Sequence, residues 1–182
     1  QVQGSLRVST SVAFGRRVLA PLIMQFMRKN PGLQFDLSCD DHYVNLVERG
    51  IDVALRMGRL PDSSLGSRYL GTNPWALVAA PRYLAEAGTP KNPAELAHHR
   101  ALIYSSVQGD ERWHFTGPDG RATSVAVKGP LRSNNLSALL AAAREGMGLA
   151  ALPRYVAQAS LARGELVPLL ERHALPVQPI HA

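Results

Sequence analysis

The sequence predicts an α/β fold of two small lobes, and three observations support this prediction. Residues 6–57 alternate between strand-like and helix-like patterns, which is typical of a parallel sheet with right-handed crossovers. A similar alternation begins again after residue 73. The 182 residues are 46% hydrophobic and 19% charged, an ordinary globular composition that leaves no segment disordered on charge grounds.

The first half opens with a strand, a helix and a second strand. Residues 6–10 read as a strand, and apolar residues with helical spacing follow at 18, 19, 22, 23, 26 and 27. Pro21 lies inside that pattern, so it either begins the main helix after an irregular first turn or kinks the helix. Residues 33–39 alternate between apolar and polar, as in a half-buried strand.

The rest of the first half is predicted from shorter patterns. Residues 43–47 form a short amphipathic helix that ends at Gly50, and residues 51–57 form a third strand. Residues 61–64 form a loop, and residues 66–70 an edge strand.

The second half repeats the alternation and adds an antiparallel hairpin. We expect a strand at 75–80, a helix from Pro81 to Gly88, and a helix to His98 that opens with an Asn92–Glu95 capping box. A buried strand at 101–104 precedes two hairpin strands that flank the turn at 117–120.

The last regular elements alternate again. A helix follows the caps at 133–135 and ends at Gly146, and the elements after it are a strand at 148–152, a helix at 154–162 and a strand at 166–170, with another strand beginning near 180. We place the first lobe at 1–73 and 153–182, and the second lobe at 74–152.

Composition restricts the compartment and the partners. No apolar run approaches the roughly 18 to 20 residues of a membrane span, so we expect no membrane partner. Gln1 replaces an initiator Met and no secretory signal follows, so we expect a piece of a longer protein. The single cysteine, Cys39, favours the cytoplasm. The net charge of +6 comes from scattered basic residues, so we do not expect this segment to bind nucleic acid.

Polar residues follow the first strand, where ligands bind in open parallel sheets. Ser9, Thr10 and Ser11 offer hydroxyls beside a helix N-terminus, which favours a carboxylate or another anion. The alternative is that these residues only cap the helix.

Two further polar groups follow elements of the second half. Ser133, Asn134 and Asn135 open a helix, and there capping and ligand contact are equally good interpretations. Ser105 and Ser106 follow the strand at 101–104, and an ordinary loop is the alternative for them.

Charged residues occur near the same strand ends. Arg56 could hold a ligand carboxylate or pair with Asp40 or Asp52. Asp40, Asp41 and His42 could suggest acid–base or metal chemistry, but such a turn more often caps a helix.

The sequence favours a protein that is not an enzyme. On its alternating strand, Cys39 reads as a core residue rather than a nucleophile. Trp113 and Phe115 could line a pocket, although core packing of the hairpin is the stronger interpretation. No nucleotide-binding, esterase-type or zinc-protease motif occurs, and we expect no cofactor and no metal.

The order of the short motifs resembles the regulatory domain of LysR-type transcriptional regulators. The matching segments run through the whole chain: residues 4–9, 14–17, 19–21, 46–58, 60–65, 80–84, 113–115, 117–120 and 146–153. The resemblance implies a fold like that of type 2 periplasmic binding proteins, with two Rossmann-like lobes joined by two crossing strands and an effector cleft between them.

The resemblance also implies where the effector binds. Inducer contacts in the family fall after the first strand, here Ser9 to Ser11, after the second strand, here Asp40 to His42, and at second-lobe strand ends and near Asn134. The implied ligand is a small molecule. An anionic metabolite is one alternative, and a cationic or hydroxylated ligand, which Asp40 and Asp41 would favour, is the other.

The family further implies self-association to a dimer or tetramer and DNA binding only through an N-terminal winged helix-turn-helix that precedes this segment. A solute-binding protein of a transport system is the alternative function. An enzyme that uses Cys39, Asp41 or His42 is a third and weaker hypothesis.

Overall fold

The computed structural model describes residues 3–41, 48–60, 65–105 and 111–182. Its strands are β1 (Gly4–Thr10), β2 (Leu33–Cys39), β3 (Val53–Ala54), β4 (Arg56–Met57), β5 (Tyr69–Asn73), β6 (Trp75–Ala79), β7 (Arg100–Tyr104), β8 (Arg112–Thr116), β9 (Ala122–Ala126), β10 (Lys128–Ser133), β11 (Leu149–Pro153), β12 (Val167–Leu169) and β13 (Gln178–His181). Its α-helices are α1 (Val12–Phe14), α2 (Ala20–Lys29), α3 (Pro81–Ala87), α4 (Leu136–Arg144) and α5 (Arg154–Ala162). The helix predicted at 43–47 and the loop predicted at 61–64 lie outside the described residues.

The chain divides into two compact units. Lobe I is Gln1–Asn73 with Gln178–Ala182, and lobe II is Pro74–Val177. Residues 153–182 were predicted to belong to the first lobe, whereas in the structure residues 153–177 belong to lobe II. The reason is that β12 pairs antiparallel with β6, while α5 packs against β6 and β11.

Lobe I contains the parallel sheet that the alternation predicts, in the order β2-β1-β3. Thr10 lies opposite Cys39 and Ser9 opposite Ala54, so the carboxyl ends of all three strands meet at one edge. The single strand predicted at 51–57 is divided, because β4 leaves this sheet and pairs with β13, which also pairs with β5.

The first helical segment of lobe I begins irregularly, as Pro21 indicated. α1 continues into a π-helical turn, Gly15–Leu19, and Pro21 stands in the first turn of α2. Gly15 lies close to the strand ends: a Cβ at this position would collide with Cys39 Sγ and lie 2.8 Å from Thr10 Cγ2. The helix can approach β1 and β2 this closely because Gly15 has no side chain.

Lobe II is built on a five-stranded mixed sheet in the order β10-β7-β11-β6-β12. β10, β7 and β11 run parallel, whereas β6 is antiparallel to both β11 and β12. The strand β10 was not predicted from the sequence. Its pairing with β7 is interrupted by an irregularity between Lys128 and Leu131, and a Cβ at Gly129 would collide with the carbonyl of Ala101. Such a bulged segment with Pro130 lacks the alternation of a regular strand.

Local predictions in lobe II are confirmed. β8 and β9 form the antiparallel hairpin around residues 117–120. The predicted Asn92 cap is present, because Asn92 Oδ1 accepts from Glu95 N at 3.3 Å. Glu95 returns the contact in a variant of the capping box: it accepts from Asn92 Nδ2 and from Lys91 N, each at 2.8 Å. The segment that it opens, Pro93–His98, is a 3₁₀-helix. No helix in the described part of the chain is long and apolar enough to cross a membrane.

A buried tyrosine connects three segments of lobe II. Tyr83 is 1% exposed, and its hydroxyl accepts a hydrogen bond from Arg100 N at 2.9 Å and lies 3.0 Å from His99 Nδ1. Burial lowers the pKa of the His99 imidazole, against the opposing effect of Glu95. The neutral ring can therefore accept the hydrogen of the Tyr83 hydroxyl.

We expect Tyr83→Phe to destabilise the protein by about 1 to 3 kcal/mol, because buried polar groups would lose their partner. Urea unfolding measures the change. Tyr69→Phe is the matched control, because Tyr69 is 58% exposed, and its effect should stay within about 0.5 kcal/mol. Equal effects of the two variants would contradict a structural role for the Tyr83 hydroxyl.

The same contact predicts a pH dependence. Because the pKa of His99 is lower in the folded chain than in the unfolded one, its contribution is complete above the ordinary histidine pKa of about 6.5 and is lost as the pH falls below it. Asn at position 99 supplies an acceptor that does not titrate. We expect His99→Asn to flatten the stability profile between about pH 7.5 and 5.5. Urea unfolding at each pH measures the profile, and an unchanged slope in His99→Asn would contradict this account.

Candidate functional site

The carboxyl end of β1 is fully buried although it is polar. Ser9 and Thr10 are both 0% exposed. Their carbonyls accept hydrogen bonds from Leu55 N at 2.8 Å and from Asp40 N at 2.9 Å, respectively. The segments that follow β2 and β3 thus continue the backbone pairing of β1, and they bring their own polar residues to the same edge of the sheet.

Arg56 contacts the first of these buried residues. Its Nη2 donates to Ser9 Oγ at 2.8 Å, and its Nη1 donates to the carbonyl of Leu55 at 3.1 Å. Asp52, one of the partners considered for Arg56, accepts from Arg7 N at 2.8 Å through Oδ2. The pairing of Ser9 with Arg56 was not foreseen, because nothing in the spacing of the two residues indicates it.

The hydroxyls of Thr10 and Ser11 are buried without a hydrogen-bond partner among the described residues. Ser11 stands at the N-cap of α1, but its side chain makes no capping hydrogen bond. The capping role considered for these residues is therefore not taken by Ser11. Buried hydroxyls in proteins normally have partners, so two adjacent exceptions need an explanation.

Asp41 supplies the cap instead. Its Oδ1 accepts from Val12 N at 3.0 Å, so a carboxylate from the segment after β2 satisfies the first backbone donor of α1. The predicted cap of the Asp40–His42 turn was for the helix that follows it, which lies outside the described residues, whereas the cap described here is for α1. Asp40 is partly buried, and His42 lies outside the described residues.

Cys39 is exposed, which corrects the prediction of a core residue. Because β2 is an edge strand of its sheet, the last residue of β2 is not covered by a neighbouring strand. Although the residue is exposed, its thiol is partly buried, and this partial burial together with the nearby Asp41 carboxylate raises the pKa of Cys39. The thiol form is therefore favoured over the thiolate that a nucleophile requires.

The predicted site residues of the second half, Ser105 and Asn134, are exposed, unlike Ser9 and Thr10. Asn134 is exposed, whereas Asn135 is the N-cap of α4, and its Oδ1 accepts from Ser137 N at 2.9 Å and Ala138 N at 3.0 Å. Ser105 is exposed and donates its backbone N–H to the carbonyl of Ser133 at 3.0 Å, which extends the pairing of β7 with β10. Ser106 lies outside the described residues.

The hairpin of lobe II carries a small surface cavity. Trp113 and Phe115 are buried in the core of lobe II, which supports the packing interpretation. A cavity of about 180 Å³ adjoins the hairpin, and Phe115 is one of its lining residues while Trp113 is not. None of the residues predicted to contact an effector lines it. Among the described residues, no group of three or more potential metal ligands comes together.

A family model described as the LysR substrate binding domain matches residues 1–182. The chain belongs to this family. The match confirms the resemblance that the motifs indicated, and with it the expected effector-binding domain of LysR-type regulators.

Curated relatives of this LysR domain are transcriptional regulators. An uncharacterised HTH-type transcriptional regulator of Haemophilus influenzae is 33% identical over 180 residues, which is 99% of this chain and 62% of that protein. The HTH-type transcriptional activator AaeR of Escherichia coli is 35% identical over 179 residues, 98% of this chain and 58% of AaeR. The chain thus spans about three-fifths of the relatives that it matches.

Solved structures confirm the two-lobed α/β fold of LysR regulatory domains. The regulatory domain of CrgA from Neisseria meningitidis has a TM-score of 0.82 at 30% identity, over 99% of this chain and 88% of that one. Full-length AphB, the Vibrio cholerae virulence activator, has a TM-score of 0.87 at 27% identity, over 99% of this chain and 61% of that one.

A pair of adjacent asparagines tests the capping assignment at α4. We expect Asn135→Ala to lower the free energy of unfolding by about 1 kcal/mol, because two backbone donors lose their acceptor. Asn134→Ala should change it by less than about 0.5 kcal/mol. Chemical denaturation distinguishes the two variants, and a larger loss in Asn134→Ala would contradict the assignment.

Proposed function

We propose that this chain is the effector-sensing domain of a LysR-type regulator, and that its effector is a small molecule bound at the carboxyl end of β1 in lobe I. The observation that carries the proposal is the pair of buried hydroxyls, Thr10 Oγ1 and Ser11 Oγ, without partners in the described part of the chain. A ligand at this edge would supply the missing hydrogen bonds, and the backbone around them is already fixed by paired strands.

The Ser9–Arg56 contact supports the same location. A guanidinium held against a buried hydroxyl gives the strand end a positioned donor group beside the two unpartnered hydroxyls. In the proposed site Ser9 and Arg56 orient one another, and Thr10 and Ser11 contact the effector. Asp40 and Asp41 lie beside these hydroxyls, and His42 remains part of the proposal from the family resemblance alone. Ser105 and Asn134 stay predicted contacts in lobe II.

For the whole protein, the proposal includes regulation of transcription through an N-terminal winged helix-turn-helix in a dimer or tetramer. Support comes from the relatives, which are called HTH-type regulators and are longer than this chain. The effector would bind one conformation of the regulator more tightly than another and so shift their populations. Such a protein acts where the DNA is, which agrees with the cytoplasmic compartment favoured by the sequence.

Neither alternative function gains support from the comparisons. The relatives reported above are regulators rather than transport components, which does not favour a solute-binding protein. We propose that the chain has no enzymatic activity, because Cys39 is held as a thiol and the regulators that resemble it are transcription factors.

Thermal-shift screening of the 182-residue chain against a metabolite library tests the proposal. A ligand at 100 times its Kd adds about 2.7 kcal/mol of stability and is readily detected. For a compound found in this way, we expect Ser11→Ala and Thr10→Val to weaken binding by about 1 to 2 kcal/mol each by calorimetry. Ser5→Ala, at the exposed beginning of β1, is the control and should bind like the wild type.

Thr10→Val also separates a binding role from a structural one. Replacing an unpartnered buried hydroxyl by an isosteric methyl removes a desolvated polar group, so the free protein should be as stable as the wild type or more stable. If Thr10→Val destabilises the free chain and leaves ligand affinity unchanged, the hydroxyl serves the fold and the proposed site is wrong.

A further inference from the structure

The charge of the effector can be inferred from the group that already occupies the helix N-terminus of lobe I. In a free strand–helix junction, the first backbone N–H groups of the helix and its positive dipole end attract a ligand anion. Here the Val12 N–H donates to Asp41 Oδ1 at 3.0 Å, so an internal carboxylate already holds that place.

A second anion at this position would meet two penalties. It would have to displace Asp41 from Val12 or bind close to the negative charge of Asp41. Two like charges a few ångströms apart repel each other strongly. Asp40 adds a second carboxylate on the neighbouring residue. Arg56 is a cation of the same edge, and the hydrogen bonds described for it go to Ser9 Oγ and the Leu55 carbonyl rather than to the N-terminus of α1.

The unpartnered groups beside Asp41 are suited to a donor. Thr10 is fully buried, its methyl group faces Gly15, and its Oγ1 has no partner among the described residues. The Asp41 carboxylate accepts the hydrogen bond of Val12 N through Oδ1. A hydroxyl oxygen and a carboxylate oxygen can both accept from a single ammonium or hydroxyl group.

We propose that Asp41 is a specificity determinant of this site: it excludes ligand carboxylates from the N-terminus of α1, and the effector presents an ammonium or hydroxyl group to Asp41 and Thr10. This inference rests on the proposed function of lobe I. It selects the cationic or hydroxylated effector over the anionic one, the two possibilities that the sequence left open.

The raised pKa of Cys39 supports the electrostatic part of the argument. Burial is the main cause, but the Asp41 carboxylate contributes, which means that its field reaches a group at the end of β2 and opposes a negative charge there. A ligand carboxylate at the same edge would meet the same field.

Acetate and ethylammonium are matched small probes for this inference, used on the 182-residue chain at constant ionic strength. In the wild type, we expect ethylammonium to shift the backbone amide resonance of Val12 saturably, and acetate to leave it unchanged. Asp41→Ala exposes the Val12 N–H, so acetate should then shift this resonance saturably. Asp36→Ala, which removes an exposed carboxylate from β2, the strand that precedes Asp41, should behave like the wild type.

Asp41→Asn keeps an oxygen acceptor for Val12 but removes the charge, so it tests the inference even if Asp41→Ala does not fold. We expect the affinity for ethylammonium to fall by about tenfold in this variant. Saturable acetate binding at Val12 in the wild type would overturn the inference, and so would an unchanged ethylammonium affinity in Asp41→Asn.

The titration can fail independently of the effector screen. It reports on the Val12 amide and on two simple ions, whereas the screen reports on any compound whose binding depends on Thr10 and Ser11. An effector that binds through Thr10 and Ser11 with a carboxylate at Val12 would retain the proposed function and refute the role of Asp41.

Discussion

Lobe I depends on the complete burial of the carboxyl end of β1. Buried polar groups lose their hydration, so each must find a partner or destabilise the fold. Because β1 is the central strand, segments on both sides of it donate hydrogen bonds to the backbone carbonyls of Ser9 and Thr10. Arg56 satisfies the hydroxyl of Ser9. Two hydroxyls, Thr10 Oγ1 and Ser11 Oγ, remain without partners among the described residues, and the proposed effector site rests on them.

The irregular helix of lobe I follows from the same edge. Gly15 is the residue at which the helix approaches Thr10 and Cys39, and a side chain there would force the helix away from the strands. The π-helical turn begins at this glycine, and Pro21 becomes acceptable because the regular helix starts only at Ala20. Because Asp41 caps Val12, the hydroxyl of Ser11 is not used for capping. The distortion and the cap together keep the N-terminus of the helix next to the strand ends.

Much of the fold could be predicted from the sequence because periodicity is a local property. β2 and α5 have the predicted bounds, and the parallel sheet of lobe I follows from the strand–helix alternation. The errors concern which sheet a segment joins. The segment after Pro153 carries ordinary strand and helix patterns, and only its antiparallel pairing with β6 assigns it to lobe II. β10 was missed since Gly129 and Pro130 interrupt its alternation, although β7 pairs with it along most of its length.

For the candidate site, too, the sequence predicts some features and not others. That polar residues follow β1 and β2 was visible in the sequence, whereas the partner of each residue depends on three-dimensional placement. Arg56 contacts Ser9, a partner that the sequence did not indicate, and the cap of α4 is Asn135 rather than Asn134. One consequence could not be read from residue types at all. The carboxylate of Asp41 caps a helix and also helps to keep the thiol of Cys39 protonated, so this edge of lobe I carries carboxylate charge without an added thiolate. A thiol in that form is a weak nucleophile, which is consistent with the proposal that this edge binds an effector.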